Sequence, residues 1–302
     1  MRVIALFGPT AVGKTAVAID LSELLRARGE DPVAVSCDAI QVYRGLEILS
    51  GAPSAEEQER LEHRLVGIAQ PTEEFSAGRY AEIARAEIDS LLDAGRTVIV
   101  VGGTGLYMRA ALAELDLRPP VPAEIRERVE QEIAEVGAAA MHVELDPDVA
   151  QRVHPNDRKR VGRALELQRA GLDPPERSHE LWTARLRHPT ALVGLVVGRE
   201  ELADRIDRRV DGMVAAGVAE AVRAVDRAGP SRTARAALGF EELLRGDVDA
   251  MKSAHRRYAR RQMTWLQKMD GLEVVDRSGI GDRKAAELVL GEVDRGSSGQ
   301  RR

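Results

Sequence analysis

Cysteine and long apolar runs are scarce in this sequence of 302 residues. A single cysteine, Cys37, excludes an intrachain disulfide and any zinc site built from several cysteines, so packing must supply the stability. No apolar run approaches the ~20 residues that span a bilayer, and Met1-Arg2 leads directly into the first apolar run without room for a signal peptide. We therefore expect a cytoplasmic protein without a membrane segment.

Other absences exclude classes of function. The single asparagine, Asn156, is followed by Asp157, so the N-K-x-D sequence with which a GTPase binds guanine is missing. The six histidines show no metal-binding spacing. The formal net charge of −5 argues against a protein that coats nucleic acid with its whole surface, but it does not exclude a local basic surface.

A phosphate-binding loop follows the first predicted strand. Residues 3–7 form an apolar run, as expected for a strand buried on both faces, and they lead into G-P-T-A-V-G-K-T. The spacing G-x-x-x-x-G-K-T lets backbone N–H groups point at one anion, and the N-terminus of the following helix adds positive charge. Lys14 brings a mobile charge, and the Thr15 hydroxyl can hold Mg²⁺. The residues predicted to bind phosphate are Gly8, Pro9, Thr10, Ala11, Val12, Gly13, Lys14 and Thr15. The sequence predicts a bound di- or triphosphate, and it leaves open whether the phosphate is transferred, is hydrolysed or simply leaves.

Repeated strand-loop-helix units predict a doubly wound α/β sheet. Strands are expected at residues 3–7, 33–37 and 97–101, and helices at 14–28 and 81–92. Parallel strands joined by helices are typical of an α/β fold with helices on both faces of the sheet.

The pattern changes in residues 114–190, which contain helical segments but no apolar run of strand type before residue 191. The elements expected after this segment are strands at 191–197 and 272–275 and helices at 200–216 and 247–269. We therefore predict a P-loop α/β core of residues 1–113 and 191–302, with a mostly helical insertion of residues 114–190.

Asp38 follows the second predicted strand and has two chemical roles open to it. Because ligands lie beyond the carboxyl ends of parallel strands, Asp38 is expected at the same edge of the sheet as the phosphate loop. It could hold Mg²⁺, or it could act as a general base; a solvated aspartate without a function is the third interpretation. Its neighbours Gln41 and Tyr43 are suited to holding a nucleobase, which favours the base. The G-G-T-G turn at residues 102–105 adds backbone donors at this edge, but alone it is weak evidence.

Two basic segments occur in this acidic chain. Residues 251–269 contain no acidic residue, and their basic residues are Lys252, Arg256, Arg257, Arg260, Arg261 and Lys268. On a helix these form one face, while Tyr258, Gln262, Trp265 and Met269 recur on another. Residues 157–163, D-R-K-R-V-G-R, open a predicted helix in the insertion. A solvated face is one interpretation, but arginines without acidic partners more naturally bind phosphate, and two such surfaces suggest a bound polyanion.

Together these motifs resemble the bacterial tRNA dimethylallyltransferases, also called tRNA isopentenyltransferases, nearly from end to end. The matching motifs are G-P-T-A-x-G-K-T at 8–15, D-S-x-Q-V-Y-R at 38–44, G-G-T-G-L-Y at 102–107, D-P at 146–147, H-P-N-D at 154–157, G-R-E at 198–200, A-I-G-Y-x-E at 237–241 and Y-A-R-R-Q-x-T-W at 258–265. The chain departs from the family at Ala39, where a serine is usual, at Ala52, where a lysine is usual, and at Arg64, where a histidine is usual. These departures change local contacts and leave the phosphate loop and Asp38 intact.

The resemblance implies an enzyme that uses Mg²⁺ and transfers a dimethylallyl group from dimethylallyl diphosphate to N6 of the adenosine on the 3′ side of the tRNA anticodon. It implies that the phosphate loop binds the diphosphate and that Thr15 binds the metal. The implied catalytic residues are Asp38, Lys14, Thr10 and Arg199. The implied contacts to the anticodon arm are Asp38, Ala39, Ile40, Gln41, Thr104, Arg126, Lys159, Arg160, Val161, Gly162, Arg163, Arg257, Arg261, Gln262 and Trp265. We expect a monomer. Two alternatives stay open: a phosphotransferase that uses ATP, and a non-catalytic, nucleotide-dependent RNA-binding module.

Overall fold

The computed structural model describes residues 2–115, 117, 118, 120–173 and 185–299. The chain divides into two compact units, one of Met1–Leu115 with His179–Arg302 and the other of Asp116–Ser178. The second unit is shorter than the insertion predicted over residues 114–190. The returning chain belongs to the first unit, where the N–H of Arg187 donates to the carbonyl of Leu112 at 2.8 Å.

The described part of the first unit is built on a six-stranded parallel sheet. Its strands are β1 (Val3–Phe7), β2 (Pro32–Ser36), β3 (His63–Arg64), β4 (Thr97–Gly102), β5 (Thr190–Val196) and β6 (Glu273–Asp276), in the spatial order β3-β2-β4-β1-β5-β6. All of β1 is buried, because β4 and β5 flank it and helices cover both faces. The prediction of a doubly wound α/β sheet is confirmed.

Helices connect these strands in the part of the first unit that precedes the second unit. They are α1 (Lys14–Arg26), α2 (Glu47–Ser50), α3 (Ala55–Arg60), α4 (Ala77–Asp93) and α5 (Gly105–Leu112). Helix α4 begins before the predicted residue 81, because the Ser76 hydroxyl accepts a hydrogen bond from the N–H of Arg79 and caps the first turn. Helix α1 ends at Arg26 rather than at residue 28, and β2 ends at Ser36 rather than at residue 37.

The described part of the second unit is helical. Its helices are α6 (Ala123–Val136), α7 (Ala138–Met141), α8 (Pro147–Ala150) and α9 (Arg158–Arg169), with a 3-10 turn at His142–Glu144. They surround a small core of their own, made of Val129, Ile133, Met141, Leu145, Val149, Val161 and Leu165. Asp157 caps α9 by accepting a hydrogen bond from the N–H of Arg160 at 3.1 Å.

The chain after β5 adds further helices to the first unit. They are α10 (Arg199–Ala215), α11 (Val218–Arg227), α12 (Arg232–Arg235), α13 (Phe240–Leu244), α14 (Val248–Lys268) and α15 (Asp282–Gly299). Helix α15 packs along α1, and α14 packs along α10. None of the helices in the described ranges is both long enough and apolar enough to cross a membrane.

Candidate active site at the carboxyl edge of the sheet

The loop between β1 and α1 has the geometry of a phosphate-binding loop. Gly13 has a φ of +91° and Ala11 a φ of +64°, so the backbone turns sharply before the helix begins. Because Gly13 has no side chain to cap α1, the first N–H groups of the helix remain available to an anion.

Lys14 folds over this loop. Its Nζ donates to the carbonyls of Gly8 at 3.0 Å and Pro9 at 2.9 Å. Burial, and next the positive charge of Arg209, lower the pKa of Lys14 to about 7, while the negative charge of Asp38 opposes the shift. An anion in the loop would supply the missing negative charge and so favour the ammonium form.

Asp38 lies at the same edge of the sheet, just after β2. Its Oδ1 accepts hydrogen bonds from the N–H groups of Ile40 at 2.9 Å and Gln41 at 3.4 Å, which fix the carboxylate in a turn. Oδ2 accepts no hydrogen bond from the described residues. The charge of Asp38 acts on the pKa of both Lys14 and Arg209, so the structure brings this carboxylate and two cations together.

Arg209 is a member of the site that the sequence did not reveal. Its Nη2 donates to the carbonyl of Ser50 at 3.1 Å, and its buried Nε has no hydrogen-bond partner in the described part of the chain. Burial lowers the pKa of the guanidinium, and Asp38 and Glu57 oppose this shift. Its position beside Ile206 and Val210, on the flank of the apolar face of α10, is the sequence signal that could have identified it.

Arg199 was predicted to be the catalytic arginine on this part of the chain. It is the exposed first residue of α10, about 15 Å along the helix axis from Arg209, and no hydrogen bond joins it to the phosphate loop among the described residues. The structure therefore favours Arg209 over Arg199 as the cation beside Lys14 and Asp38.

One face of α14 packs on the loop that follows β4. The Nε2 of Gln262 donates to the carbonyl of Gly103 at 2.8 Å, and its Oε1 accepts a hydrogen bond from the N–H of Thr10 at 2.8 Å. This buried amide therefore bridges the G-G-T-G turn and the phosphate loop. The prediction that Gln262 contacts tRNA did not anticipate that both ends of its amide are used within the protein.

Two other side chains of α14 also contact the G-G-T-G turn. The hydroxyls of Tyr258 and Thr104 lie 3.3 Å apart, and burial raises the pKa of Tyr258 to about 12, which keeps the phenol protonated. The indole of Trp265 covers Gly105, where any Cβ would overlap the ring. Because positions 258, 262 and 265 lie on one helical face, α14 contacts three successive residues of the turn.

The side-chain amide of Gln41 is also hydrogen-bonded within the protein. Its Oε1 accepts a hydrogen bond from the hydroxyl of Ser36 at 2.7 Å, and its Nε2 donates to the carbonyl of Gly51 at 3.2 Å. Ala39, Ile40 and Thr104, which were predicted to contact tRNA, are half-buried beside Asp38 and the G-G-T-G turn.

The basic face of α14 is only partly free of acidic partners. Lys252 pairs with Asp211 at 2.6 Å and Arg256 pairs with Asp207 at 2.5 Å, both across to α10. The prediction of unpaired basic residues is wrong for these two, because the acidic partners come from another helix.

Arg257, Arg260 and Arg261 are the other arginines of that face and are exposed. Within the described ranges none of them makes an ion pair, and the Arg261 guanidinium lies over the ring of Tyr258, 5.4 Å from its centroid. Three arginines of α14 are thus presented to solvent.

The residues of the second unit that were predicted to contact tRNA differ in their exposure. Lys159 and Arg160 are exposed, whereas Val161 and Gly162 are buried in the core of that unit, so the structure does not support the contacts predicted for the latter two.

Arg126 and Arg163, predicted to contact tRNA as well, both face Glu166. Arg163 pairs with this carboxylate at 3.1 Å, and Arg126 lies 3.9 Å from it. Their charges are therefore partly neutralised within the unit.

A metal ion would depend on the substrate for most of its ligands. The described residues contain no group of three or more His, Cys, Asp and Glu side chains that could hold a metal. Thr15, on the first turn of α1, offers a hydroxyl beside the phosphate loop. Mg²⁺ is commonly held by few protein ligands together with phosphate oxygens and water, so this donor set fits it.

We expect the hydrogen bonds of Gln262 to strengthen the binding of an anion by the phosphate loop. Gln262→Ala removes two hydrogen bonds, together worth about 1–3 kcal/mol, so affinity for inorganic diphosphate should fall about 5- to 100-fold in titration calorimetry. Gln168→Ala is the control, because Gln168 similarly links the N–H of Asp146 and the carbonyl of Glu144, but in the second unit. Equal affinities for the two variants would contradict the bridging role.

Comparisons with known proteins identify the family of this chain. A family model described as "IPP transferase" matches residues 41–269. A curated tRNA dimethylallyltransferase of Anaeromyxobacter dehalogenans is 41% identical over 285 residues, covering 90% of this chain and 94% of the relative. One of Acetivibrio thermocellus is 36% identical, covering 91% and 92%. The crystal structure of the full-length tRNA isopentenylpyrophosphate transferase of Bacillus halodurans matches with a TM-score of 0.71 at 29% identity, covering 100% of this chain and 99% of that one. The chain belongs to the IPP transferase family.

Proposed function

We propose that this protein transfers a dimethylallyl group from dimethylallyl diphosphate to N6 of the adenosine on the 3′ side of the tRNA anticodon, and that it does so as a cytoplasmic monomer. The observation that carries the proposal is the meeting of the phosphate loop, Asp38 and Arg209 at one edge of the sheet, in a chain whose relatives are named tRNA dimethylallyltransferases.

The reaction breaks the bond between the allylic carbon and the diphosphate while the adenine N6 forms a bond to that carbon. Negative charge develops on the departing diphosphate, and groups that bind it more strongly in the transition state lower the barrier. The backbone N–H groups of the loop, Lys14 and Arg209 are the groups proposed for this task. Mg²⁺ held by Thr15 and the diphosphate would neutralise part of the same charge. No phosphoryl group moves, so the loop holds a leaving group.

Burial disfavours the charged forms of Lys14 and Arg209, so a nearby negative charge would stabilise both side chains. A diphosphate between them supplies the counter-charge that the protein only partly provides through Asp38. The N–H of Thr10 is already committed to Gln262, so the proposed catalytic part of Thr10 is carried by its hydroxyl.

Asp38 is the proposed general base. Its Oδ1 is fixed by the turn, and its Oδ2 can accept the proton that N6 loses as the carbon–nitrogen bond forms. The adenine must leave its stack to reach this carboxylate, as bases do when an enzyme modifies them. Arg257, Arg260 and Arg261 on α14, and Lys159 and Arg160 on α9, are the exposed basic residues proposed to contact the phosphates of the anticodon arm.

Incubation with unmodified tRNA and either dimethylallyl diphosphate or ATP tests the proposal. We expect a dimethylallyl adduct on one adenosine, detected by mass spectrometry of the digested tRNA, and no transfer from ATP. Phosphate transfer from ATP would instead favour the phosphotransferase. Binding of tRNA with neither product would favour the RNA-binding module.

Asp38→Asn distinguishes a base from a metal ligand. Asparagine keeps an oxygen for Ile40 and Gln41 but accepts no proton, so the single-turnover rate should drop by roughly 10² to 10⁴ with little change in either substrate affinity.

The measurement for Asp38→Asn is transfer to tRNA across a Mg²⁺ titration. Asp247→Asn is the matched control, because Asp247 also accepts a local backbone hydrogen bond, from Ala250 at 2.9 Å, and asparagine is an equally good cap. Recovery of the Asp38→Asn rate at high Mg²⁺ would identify a metal ligand and refute the base.

The salt dependence of tRNA binding should separate the two kinds of basic residue on α14. Each alanine substitution of Arg257, Arg260 or Arg261 should reduce the slope of log affinity against log salt by about one unit, because each releases counterions from phosphate. Lys252→Ala is the control, since Lys252 already pairs with Asp211. Fluorescence anisotropy with labelled tRNA measures the slope, and an affinity independent of salt would show that this face is merely solvated.

A further inference from the structure

Arg277 is a buried arginine that the proposed mechanism does not use. It follows β6 and is 3% exposed. Its Nη1 donates to the carbonyl of Gly13 at 3.4 Å, and its Nη2 pairs with Oδ1 of Asp282 at 2.7 Å. None of the sequence motifs includes it, yet its guanidinium lies against the phosphate loop.

The hydrogen bond from Arg277 to Gly13 is made to the peptide bond between Gly13 and Lys14, in the phosphate loop. The Nη1 of Arg277 fills the space that a Cβ on Gly13 would occupy, and Gly13 has a φ of +91° that favours glycine. The peptide between Gly13 and Lys14 is planar and trans, so its carbonyl and its N–H point in opposite directions. The Gly13 carbonyl accepts the first hydrogen bond of α1, from the N–H of Val17 at 3.1 Å, and Arg277 is its second donor. Together the two donors fix the direction of the Lys14 N–H, one of the groups available to a phosphate.

The position of Arg277 is set by the sheet and not by the loop. Its own N–H donates to the carbonyl of Val196 at 2.9 Å, beside the end of β5. The next residue, Ser278, accepts a hydrogen bond from the N–H of Gly198 at 2.8 Å. The partner Asp282 is the first residue of α15, which packs along α1. The backbone around Arg277 is thus held at the end of the sheet, and Asp282 holds its guanidinium.

We infer that Arg277 is a positioning residue for diphosphate: as a second donor to the Gly13 carbonyl, beside the N–H of Val17, it helps to hold the Lys14 N–H in the direction of the anion. The inference rests on the proposed function, in which the loop binds the diphosphate of the prenyl donor. The pairing with Asp282 partly offsets the charge of Arg277, so the orientation of the peptide is its main contribution.

Arg277→Met tests the inference, because methionine keeps an apolar stem and removes the donors. We expect the Kd for inorganic diphosphate and the KM for dimethylallyl diphosphate to rise about 5- to 20-fold, which corresponds to about 1–2 kcal/mol, the contribution of one hydrogen bond. We expect kcat to change less than threefold and tRNA affinity to stay the same.

Arg85→Met is the matched control. Arg85 likewise donates to backbone carbonyls, those of Ala110 at 3.0 Å and Ala113 at 2.6 Å, and pairs with Glu114, but at the end of α5. A purely structural role for Arg277 would give the two variants the same loss of stability and the same unchanged KM, and this result would overturn the inference.

A second variant covers the case in which Arg277→Met does not fold. Arg277→Lys keeps the charge and one donor group, so its Kd for diphosphate should lie between those of the wild type and a variant without a donor. An unchanged Kd would overturn the inference. Absence of prenyl transfer by the wild-type protein would overturn the proposed function instead, so the two failures are distinguishable.

Discussion

The candidate site depends on one buried amide, that of Gln262, which joins two loops. The phosphate loop and the G-G-T-G turn follow β1 and β4, which are neighbours in the sheet. Parallel strands align the two loops but provide no bond between them, so a side chain from outside the sheet must supply it. Because the amide is buried, leaving either the Thr10 N–H or the Gly103 carbonyl unpaired would cost about 1–3 kcal/mol, and the bridge resists opening.

Helix α14 connects this bridge to the basic surface. The helical repeat places Tyr258, Gln262 and Trp265 toward the loops and leaves Arg257, Arg260 and Arg261 in solvent. Ion pairs from Lys252 and Arg256 attach the same helix to α10, which carries Arg209 into the site. One pair of helices therefore holds the two loops, delivers a buried cation and presents the arginines proposed to bind tRNA.

The sequence best predicted the part of the site whose residues are contiguous along the chain. The strand, the loop and the start of α1 are read from residues 3–15 alone, because each local signal agrees with the next. Asp38 could be placed because a rule about strand ends applies to any parallel sheet. Arg209 and Arg277 were not predicted, and Gln262 was predicted to contact tRNA and not to join the two loops. Each reaches the site from a distant part of the chain, and one sequence does not specify which helix face meets which loop.

Two expectations from the sequence differ from the structure for separate physical reasons. The basic residues of α14 were expected to lack acidic partners because none occurs on the same helix, but the partners of Lys252 and Arg256 lie on α10. The segment containing Val161 was read for its charges, although Val161 and Leu165 are four residues apart, the spacing of a buried helical face. The burial of Val161 could have been anticipated from the sequence; the ion pairs of Lys252 and Arg256 could not.

The departure from the family motif near residue 51 illustrates how a local change and a distant residue depend on each other. The motif usually carries an alanine and a lysine where this chain has Gly51 and Ala52, so one cation is missing from this segment. Gly51 has a φ of +59°, and a Cβ there would overlap the guanidinium of Arg209, which donates instead to the carbonyl of Ser50. The glycine gives Arg209 the room to lie against the backbone. Arg209 brings its positive charge beside Lys14 and Asp38, and its placement depends on a residue without a side chain.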